Sequence, residues 1–226
     1  MSKHLSRIAA PKSWPIKRKF RKWITKPSPG PHNLQTSIPL NVLLKEILNY
    51  ARTTKEVKKS LNNILINKVQ RNDHKFPIGL FDIIEFPELK EYYTMLYNQK
   101  GNLKITKIDK AVSENKIYKI TGKKILKNKK IQINLYDGTN LLVKKDEYKV
   151  GDSLIIKDKQ IIKTLRLEKE ALIFITGGKY IGLTGTVESI NKGNSLQEST
   201  IAFKHKNNSF KTLKKYAFVI EKLFEK

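Results

Sequence analysis

KHLSRIAAPKSWPIKRKFRKWITKPSPGP, residues 3–31, carries Lys3, Arg7, Lys12, Lys17, Arg18, Lys19, Arg21, Lys22 and Lys26, and the first acidic residue of the chain is Glu46. Its aliphatic residues keep no steady period, and Pro11, Pro15, Pro27, Pro29 and Pro31 interrupt any long helix or central strand. Such a segment buries too little apolar surface to offset its ordering entropy, so alone it is expected to be mobile. It reads as a basic, extended arm that needs a polyanion to lie on. Folded domains must follow it, because no core can be assembled from these residues.

The rest of the 226-residue chain agrees, with 46 Lys+Arg against 20 Asp+Glu and a formal charge of +26. A pI of about 10.0 is the electrostatic footprint of a nucleic-acid binder. Lys outnumbers Arg, and Asn and Ile are heavily used, a compositional bias that exchanges one cation for another but does not create the excess. The hydrophobic content of 39% is enough for real cores in more than one small domain. With no cysteine, disulfides, thiolate zinc sites and thiol catalysis are excluded. No apolar run is long enough to span a bilayer or form a signal peptide, so a cytoplasmic protein without a membrane partner is expected.

Outward from the arm, Thr36 to Tyr50 predicts a helix capped by Ser37, with Pro39 in its first turn and Leu40, Leu43, Leu44, Ile47 and Leu48 at helical spacing. Thr53 and Glu56 predict a capping box and a second helix to about Asn62, burying Val57 and Leu61. A short strand, Ile64 to Ile66, a turn at Asn67-Lys68 and one apolar strand from Phe76 to Phe86 complete a small module. From Glu91 the pattern is all β. Tyr92 to Tyr97 and Leu103 to Ile108 flank a turn at Gln99-Lys100-Gly101. Ile131, Ile133 and Leu135 alternate with polar residues up to Asp137-Gly138, the strongest short hairpin signal in the chain. Val150-Gly151-Asp152 turns into Leu154 to Ile156, and short strands at this spacing suggest a barrel or sandwich. Further strands are expected at Leu172 to Ile175, Thr200 to Phe203, Phe210 to Thr212 and Tyr216 to Ile220, with glycines at 177, 178, 182 and 185 between the first two.

Trp14, Phe20 and Trp23 sharpen the reading of the arm. Tryptophans exposed in a loose tail are costly, whereas beside cations they suit stacking on bases while Lys and Arg neutralise phosphates. The plainer alternative is that either indole anchors the arm to the protein's own surface. His4, Lys26 and His32 extend the same basic face. Lys45, Arg52, Lys55, Lys58 and Lys59 cluster around the start of the second helix, with Arg71 and Lys75 following; a helix N-terminus offers free N–H groups to phosphate. An ordinary solvated face explains that cluster equally well. The glycine-rich segment lacks the nucleotide-loop pattern, since Lys179 precedes Tyr180 rather than Ser or Thr. A tight β-turn accounts for it, with Lys179 available to a phosphate. His4, His32, His74 and His205 lack metal-ligand spacing, Asp73-His74 has no nucleophile motif beside it, and no paired-carboxylate or catalytic serine pattern is present. No cofactor, metal, small-molecule substrate or catalytic residue is expected.

Seven blocks, in order, resemble the archaeal and eukaryotic small-subunit ribosomal protein family S4e: KHLSRIAAPKSWPI (3–16), KPSPGPH (26–32), SIPL (37–40) with ILNYA (47–51), KFPIGLFDII (75–84), NLYDGTN (134–140), KVGD (149–152) and ITGGKYIGLTG (175–185). The resemblance covers nearly the whole chain and is most specific at its opening. It implies an α+β multi-domain protein: a basic N-terminal extension at 1–36, a small α/β S-four-type RNA-binding domain at 37–90, a central all-β domain at 91–165 and a KOW-type, SH3-like β-barrel at 166–226. The chain stops soon after that last unit, closer to the archaeal members. The pattern departs at Asn67-Lys68, where the family usually has Asp-Gly and a lysine at positive φ is strained, and at Lys127-Asn128-Lys129, which replaces a glycine-rich turn.

The expected function is therefore a non-enzymatic structural constituent of the small ribosomal subunit that binds small-subunit ribosomal RNA beside neighbouring ribosomal proteins. Two other classes fit parts of the pattern: an RNA-modifying enzyme carrying an S-four-type domain, and a transcription elongation factor using a KOW unit. Removing residues 1–31 is expected to leave a folded protein that no longer joins small subunits.

Overall fold

The computed structural model describes residues 4–126, 130–143, 146–157, 160–194, 197–206 and 208–221. Lys3 and the Lys127-Asn128-Lys129 segment lie outside them. The chain is mostly β and divides into two compact units, Met1–Tyr97 with Asn102–Glu114, and Asn98–Gly101 with Asn115–Lys226.

In the first unit, β1 (Leu5–Ser6) pairs antiparallel with β2 (Trp23–Ile24). The helix expected from Ser37 is much shorter. Ser37–Pro39 is instead a buried strand, β3, paired with β6 (Pro77–Gly79), and only Leu40–Val42 is α-helical (α1) before a π-helical turn at Leu43–Ile47. The leucine spacing still serves the core, since Leu40, Leu43 and Leu44 are buried. Ser37 is not a cap. Its hydroxyl donates to the Asn33 carbonyl at 2.6 Å, and strand pairing with β6 outcompetes helical propensity.

The second helix forms as expected. In α2 (Thr54–Ser60), the Thr53 hydroxyl accepts the Glu56 N–H, and the Glu56 carboxylate accepts the N–H groups of Arg52 and Thr53. Those bonds, Arg52 first, hold the Glu56 carboxyl below the usual range. Val57 and Leu61 are buried beneath the helix.

The hairpin of β4 (Leu65–Ile66) and β5 (Val69–Gln70) turns at Asn67 and Lys68, whose φ values of 52° and 63° are both left-handed. Two consecutive positive φ angles are the signature of the tight turn that matches strand twist. Lys68 tolerates it because Asn67 braces the turn: its Oδ1 accepts the Ile83 N–H at 3.0 Å and its Nδ2 donates to Asp82 at 2.9 Å.

The single strand expected over Phe76 to Phe86 is two, β6 and β7 (Ile83–Phe86), broken where Phe81 takes a φ of 59°. The break serves Asp82. Its fully buried carboxylate accepts the Gly79 N–H at 2.8 Å and lies 2.9 Å from His32 Nε2. Gly79 is required here because a Cβ would overlap the His32 ring.

Strands β8 (Glu91–Tyr97) and β9 (Leu103–Ile108) form as expected, but they complete the first unit's sheet, in the order β5-β4-β7-β8-β9. A short helix, α3 (Lys110–Ser113), follows.

In the second unit, β10 (Lys116–Ile125), β11 (Ile131–Leu135), β12 (Asn140–Val143), β13 (Ser153–Lys157) and β14 (Gln160–Leu165) form an antiparallel sheet in the order β12-β11-β10-β13-β14. The Asp137-Gly138 turn joins β11 and β12, with Gly138 at a φ of 80°. Alternation along β11 buries Ile131, Ile133 and Leu135. A second sheet runs β18-β17-β16-β15-β19, built from β15 (Leu172–Ile175), β16 (Thr184–Asn191), β17 (Thr200–His205), β18 (Asn208–Leu213) and β19 (Ala217–Val219). Ile173, Ile175, Val187, Ile201 and Phe203 form its core. Lys119 on β10 donates to the carbonyls of Lys215 and Ala217 at 2.7 and 2.6 Å, and burial pulls its ammonium pKa down to about 8.

Candidate nucleic-acid interface

The arm is folded against its own unit. The Arg7 N–H donates to the Lys22 carbonyl at 3.0 Å, the Ser28 N–H to Lys75 at 3.0 Å and the Leu103 N–H to Ser13 at 2.7 Å. The first bond folds the arm on itself, and the other two hold it to segments far along the chain.

Four side chains expected on RNA are instead used to fix its course. Trp14 is 2% exposed, and its indole Nε1 donates to the Ser37 carbonyl at 2.7 Å. Arg7 is 4% exposed, donating to the Lys17 carbonyl at 2.9 Å and to the Glu46 carboxylate through both terminal nitrogens. Arg18 donates to the carbonyls of Ala10 and Pro11, each at 2.8 Å. His32 is buried against Asp82. The reason is shared: an arm with a neighbouring surface buries its largest ring and meets its own carbonyls there, which costs less than leaving them in water.

Folding the arm in this way creates a cleft of about 1110 Å³. Lys12, Lys17, Arg18, Arg21 and Lys26 of the arm line it, together with Lys45, Arg52 and Lys75 from the segments it packs on. The acidic residue among the lining residues is Glu46, and Arg7 neutralises it. His4 and His74 also line the cleft; burial lowers the His74 pKa, with Asp73 opposing, so at neutral pH His74 adds no charge. Phe20 and Trp23 border it at 66% and 54% exposure. The Arg21 guanidinium lies 5.2 Å from the Phe20 ring, and the Lys22 ammonium 5.1 Å from the Trp23 ring.

The remaining expected residues are dispersed. Lys19 and Lys22 are exposed on the arm but do not line the cleft. Lys55, Lys58 and Lys59 are exposed on α2, where the Thr53 hydroxyl already takes the Glu56 N–H. Arg71 is half-buried, its guanidinium 4.7 Å from the Phe76 ring. Lys179 is exposed in the second unit, 5.7 Å from the Tyr180 ring. Its loop needs Gly182 on two counts: φ is 79°, and a Cβ would overlap the Asn98 carbonyl.

The sequence reading missed Thr25, Asn41, Asn49, Thr54 and Asn102, which also line the cleft. They are small neutral residues with no motif around them, and only the folded arm brings them together.

The arrangement suits one kind of partner. Cations line a concave surface, two aromatic side chains stand exposed at its edge, and the acid within it is already paired. Among the described residues no group of three His, Asp or Glu side chains is placed to hold a metal ion, and no helix is long and apolar enough to cross a membrane.

Comparison with known proteins places this geometry in context. Residues 1–35 match the RS4NT (NUC023) domain, and residues 89–160 match Ribosomal family S4e. The small ribosomal subunit protein eS4 of Methanosphaera stadtmanae is 39% identical over 222 residues, covering 96% of this chain and 92% of that protein. The eS4 protein of Archaeoglobus fulgidus is 38% identical over 223 residues, covering 97% of this chain and 93% of its own. The fold is also that of the 30S ribosomal protein S4e from Thermoplasma acidophilum, with a TM-score of 0.72 at 24% identity over 82% of this chain and 95% of the other.

Proposed function

The chain belongs to the S4e family of ribosomal proteins, in its archaeal type, and we infer from this that it is a structural constituent of the small ribosomal subunit. Its partner is small-subunit ribosomal RNA, flanked by neighbouring ribosomal proteins, and its place is on the ribosome in the cytoplasm. The role is to bind and position RNA rather than to catalyse a reaction on it. Neither a modifying enzyme nor an elongation factor is favoured by relatives of this kind.

The observation that carries the RNA reading is the cleft of the first unit. Phosphates are met there by Lys12, Lys17, Arg21, Lys26, Lys45, Arg52 and Lys75, and bases stack on Trp23 and Phe20. Lys19, Lys22, Lys55, Lys58 and Lys59 extend the field around it, and Lys179 makes a separate contact. This reading assigns the helical module after the arm to the S-four-type domain and the last sheet to the KOW-type barrel.

Affinity for small-subunit ribosomal RNA is then expected to fall by about 10³ to 10⁵ between about 50 and 200 mM salt if six to ten phosphates are neutralised. Replacing the exposed Lys12, Lys17, Arg21 and Arg52 together by glutamine should reduce the slope of log K against log salt by roughly one per residue. Filter binding across a salt series measures both, with a thermal melt to show that the fold is kept. An unchanged slope in the quadruple variant would place the RNA elsewhere.

A further inference from the structure

We propose that the cleft of the first unit accepts an unpaired, extruded nucleotide of the RNA, with the base edge read by Asn41 and Thr25. The proposal rests on the RNA-binding reading above and adds how the RNA enters.

Asn41 lies in the first turn after β3 and lines the cleft, yet it is only 3% exposed. Its main-chain N–H donates to the His74 carbonyl at 2.8 Å, and its Nδ2 donates to Thr25 Oγ1 at 2.6 Å. The amide oxygen Oδ1 has no hydrogen-bond partner among the protein's atoms. Buried side-chain acceptors are nearly always satisfied, and one left open at a binding surface marks a place for an incoming donor. Thr25 completes the pair: its oxygen already accepts from Asn41, so its own hydrogen is free to donate. Acceptor and donor thus belong to two side chains in direct contact. The Watson–Crick edge of any unpaired base presents the complementary donor and acceptor at adjacent atoms, and a paired base does not, because those atoms are already used.

The surroundings fit the same ligand. Trp23 and Phe20 are more than half exposed beside the cleft, and a splayed-out base or its neighbour stacks against them, while Arg21, Lys12 and Arg52 supply the charge for the flanking phosphates. At about 1110 Å³ the cleft has room for a nucleotide and its adjoining backbone. Double-stranded RNA, by contrast, is met on broad outer surfaces through its phosphates and 2′-hydroxyls, and has no use for a buried amide.

Three RNA hairpins of one stem sequence test this with the full chain: one fully paired, one with a single bulged nucleotide, and one with an abasic residue at the bulge. The bulged hairpin should bind about tenfold more tightly than the other two at equal salt, the gain expected of one stacked and hydrogen-bonded base. Asn41→Leu, which keeps the branched shape, and Thr25→Val should each weaken the bulged hairpin toward the abasic level without altering the salt slope or the affinity of the abasic hairpin. If unmodified protein binds the abasic bulge as tightly as the bulged nucleotide, no base enters the cleft and the proposal fails while RNA binding stands. If none of the hairpins nor small-subunit ribosomal RNA binds with a salt-dependent affinity, the RNA reading fails with it.

Discussion

Replacing Trp14 by alanine should lower the unfolding free energy of the first unit by about 3–5 kcal/mol, the cost of truncating a large aromatic residue in a packed core. The side chain is fully enclosed, and its N–H is committed to the Ser37 carbonyl at 2.7 Å, on the strand that pairs with β6. Removing the ring leaves a cavity where the arm meets β3 and strips that carbonyl of one partner. Trp14→Phe should cost less, because most of the volume stays and only the donor is lost. Urea unfolding followed by far-ultraviolet circular dichroism measures both, and the order alanine below phenylalanine below the parent chain is the expected result. Trp23→Ala should leave stability within about 0.5 kcal/mol, as for an exposed residue, while weakening RNA binding. Equal and negligible effects at both tryptophans would mean that the arm does not fold onto the unit.

Replacing Glu46 by alanine should be the second large perturbation, at about 3 kcal/mol. Arg7 is 4% exposed and donates to both Glu46 oxygens, so the variant leaves a guanidinium enclosed with its charge unopposed. The figure lies at the lower end for a broken buried pair because the Glu46 side chain keeps 24% of its own exposure. The same substitution adds a net positive charge to the wall of the cleft, so the salt slope of RNA binding should steepen even as the fold weakens. Joint measurement of urea stability and salt-dependent affinity separates this from simple misfolding, which would lower both. Together the Arg7 and Trp14 contacts revise the expectation that the protein stays folded when residues 1–31 are removed: their loss uncovers β3 and orphans Glu46, so the first unit should lose stability along with its RNA.

What could be read from the residues follows the range of the interactions. The capping box at Thr53 and Glu56, the burial of Val57 and Leu61, and the hairpin at Asp137-Gly138 depend on neighbours within a few positions, and each is present. Leu40, Leu43 and Leu44, at helical spacing in the sequence, are buried, but the helix around them is shorter than that spacing predicts, because β3 owes its conformation to residues 77–79. The same holds in the site. Density of charge marked the arm as a binding element, yet nothing local distinguishes Trp14, which is enclosed, from Trp23, which is not. Arg7 looked like any other cation until a partner thirty-nine positions away was brought beside it. Asn41 carries no sequence signal at all. Its role comes from Thr25 and His74, which the fold places against it.

The central claim, that the cleft of the first unit holds small-subunit ribosomal RNA, is tested most directly by crosslinking. Small subunits containing this chain are irradiated, digested, and searched by mass spectrometry for peptide–nucleotide adducts. Adducts on Phe20, Trp23 and the peptides that carry Lys45 and Arg52, to nucleotides of the small-subunit RNA, are the predicted result. A chain that fails to sediment with small subunits, or whose adducts are confined to the second unit with none on the cleft, would contradict it.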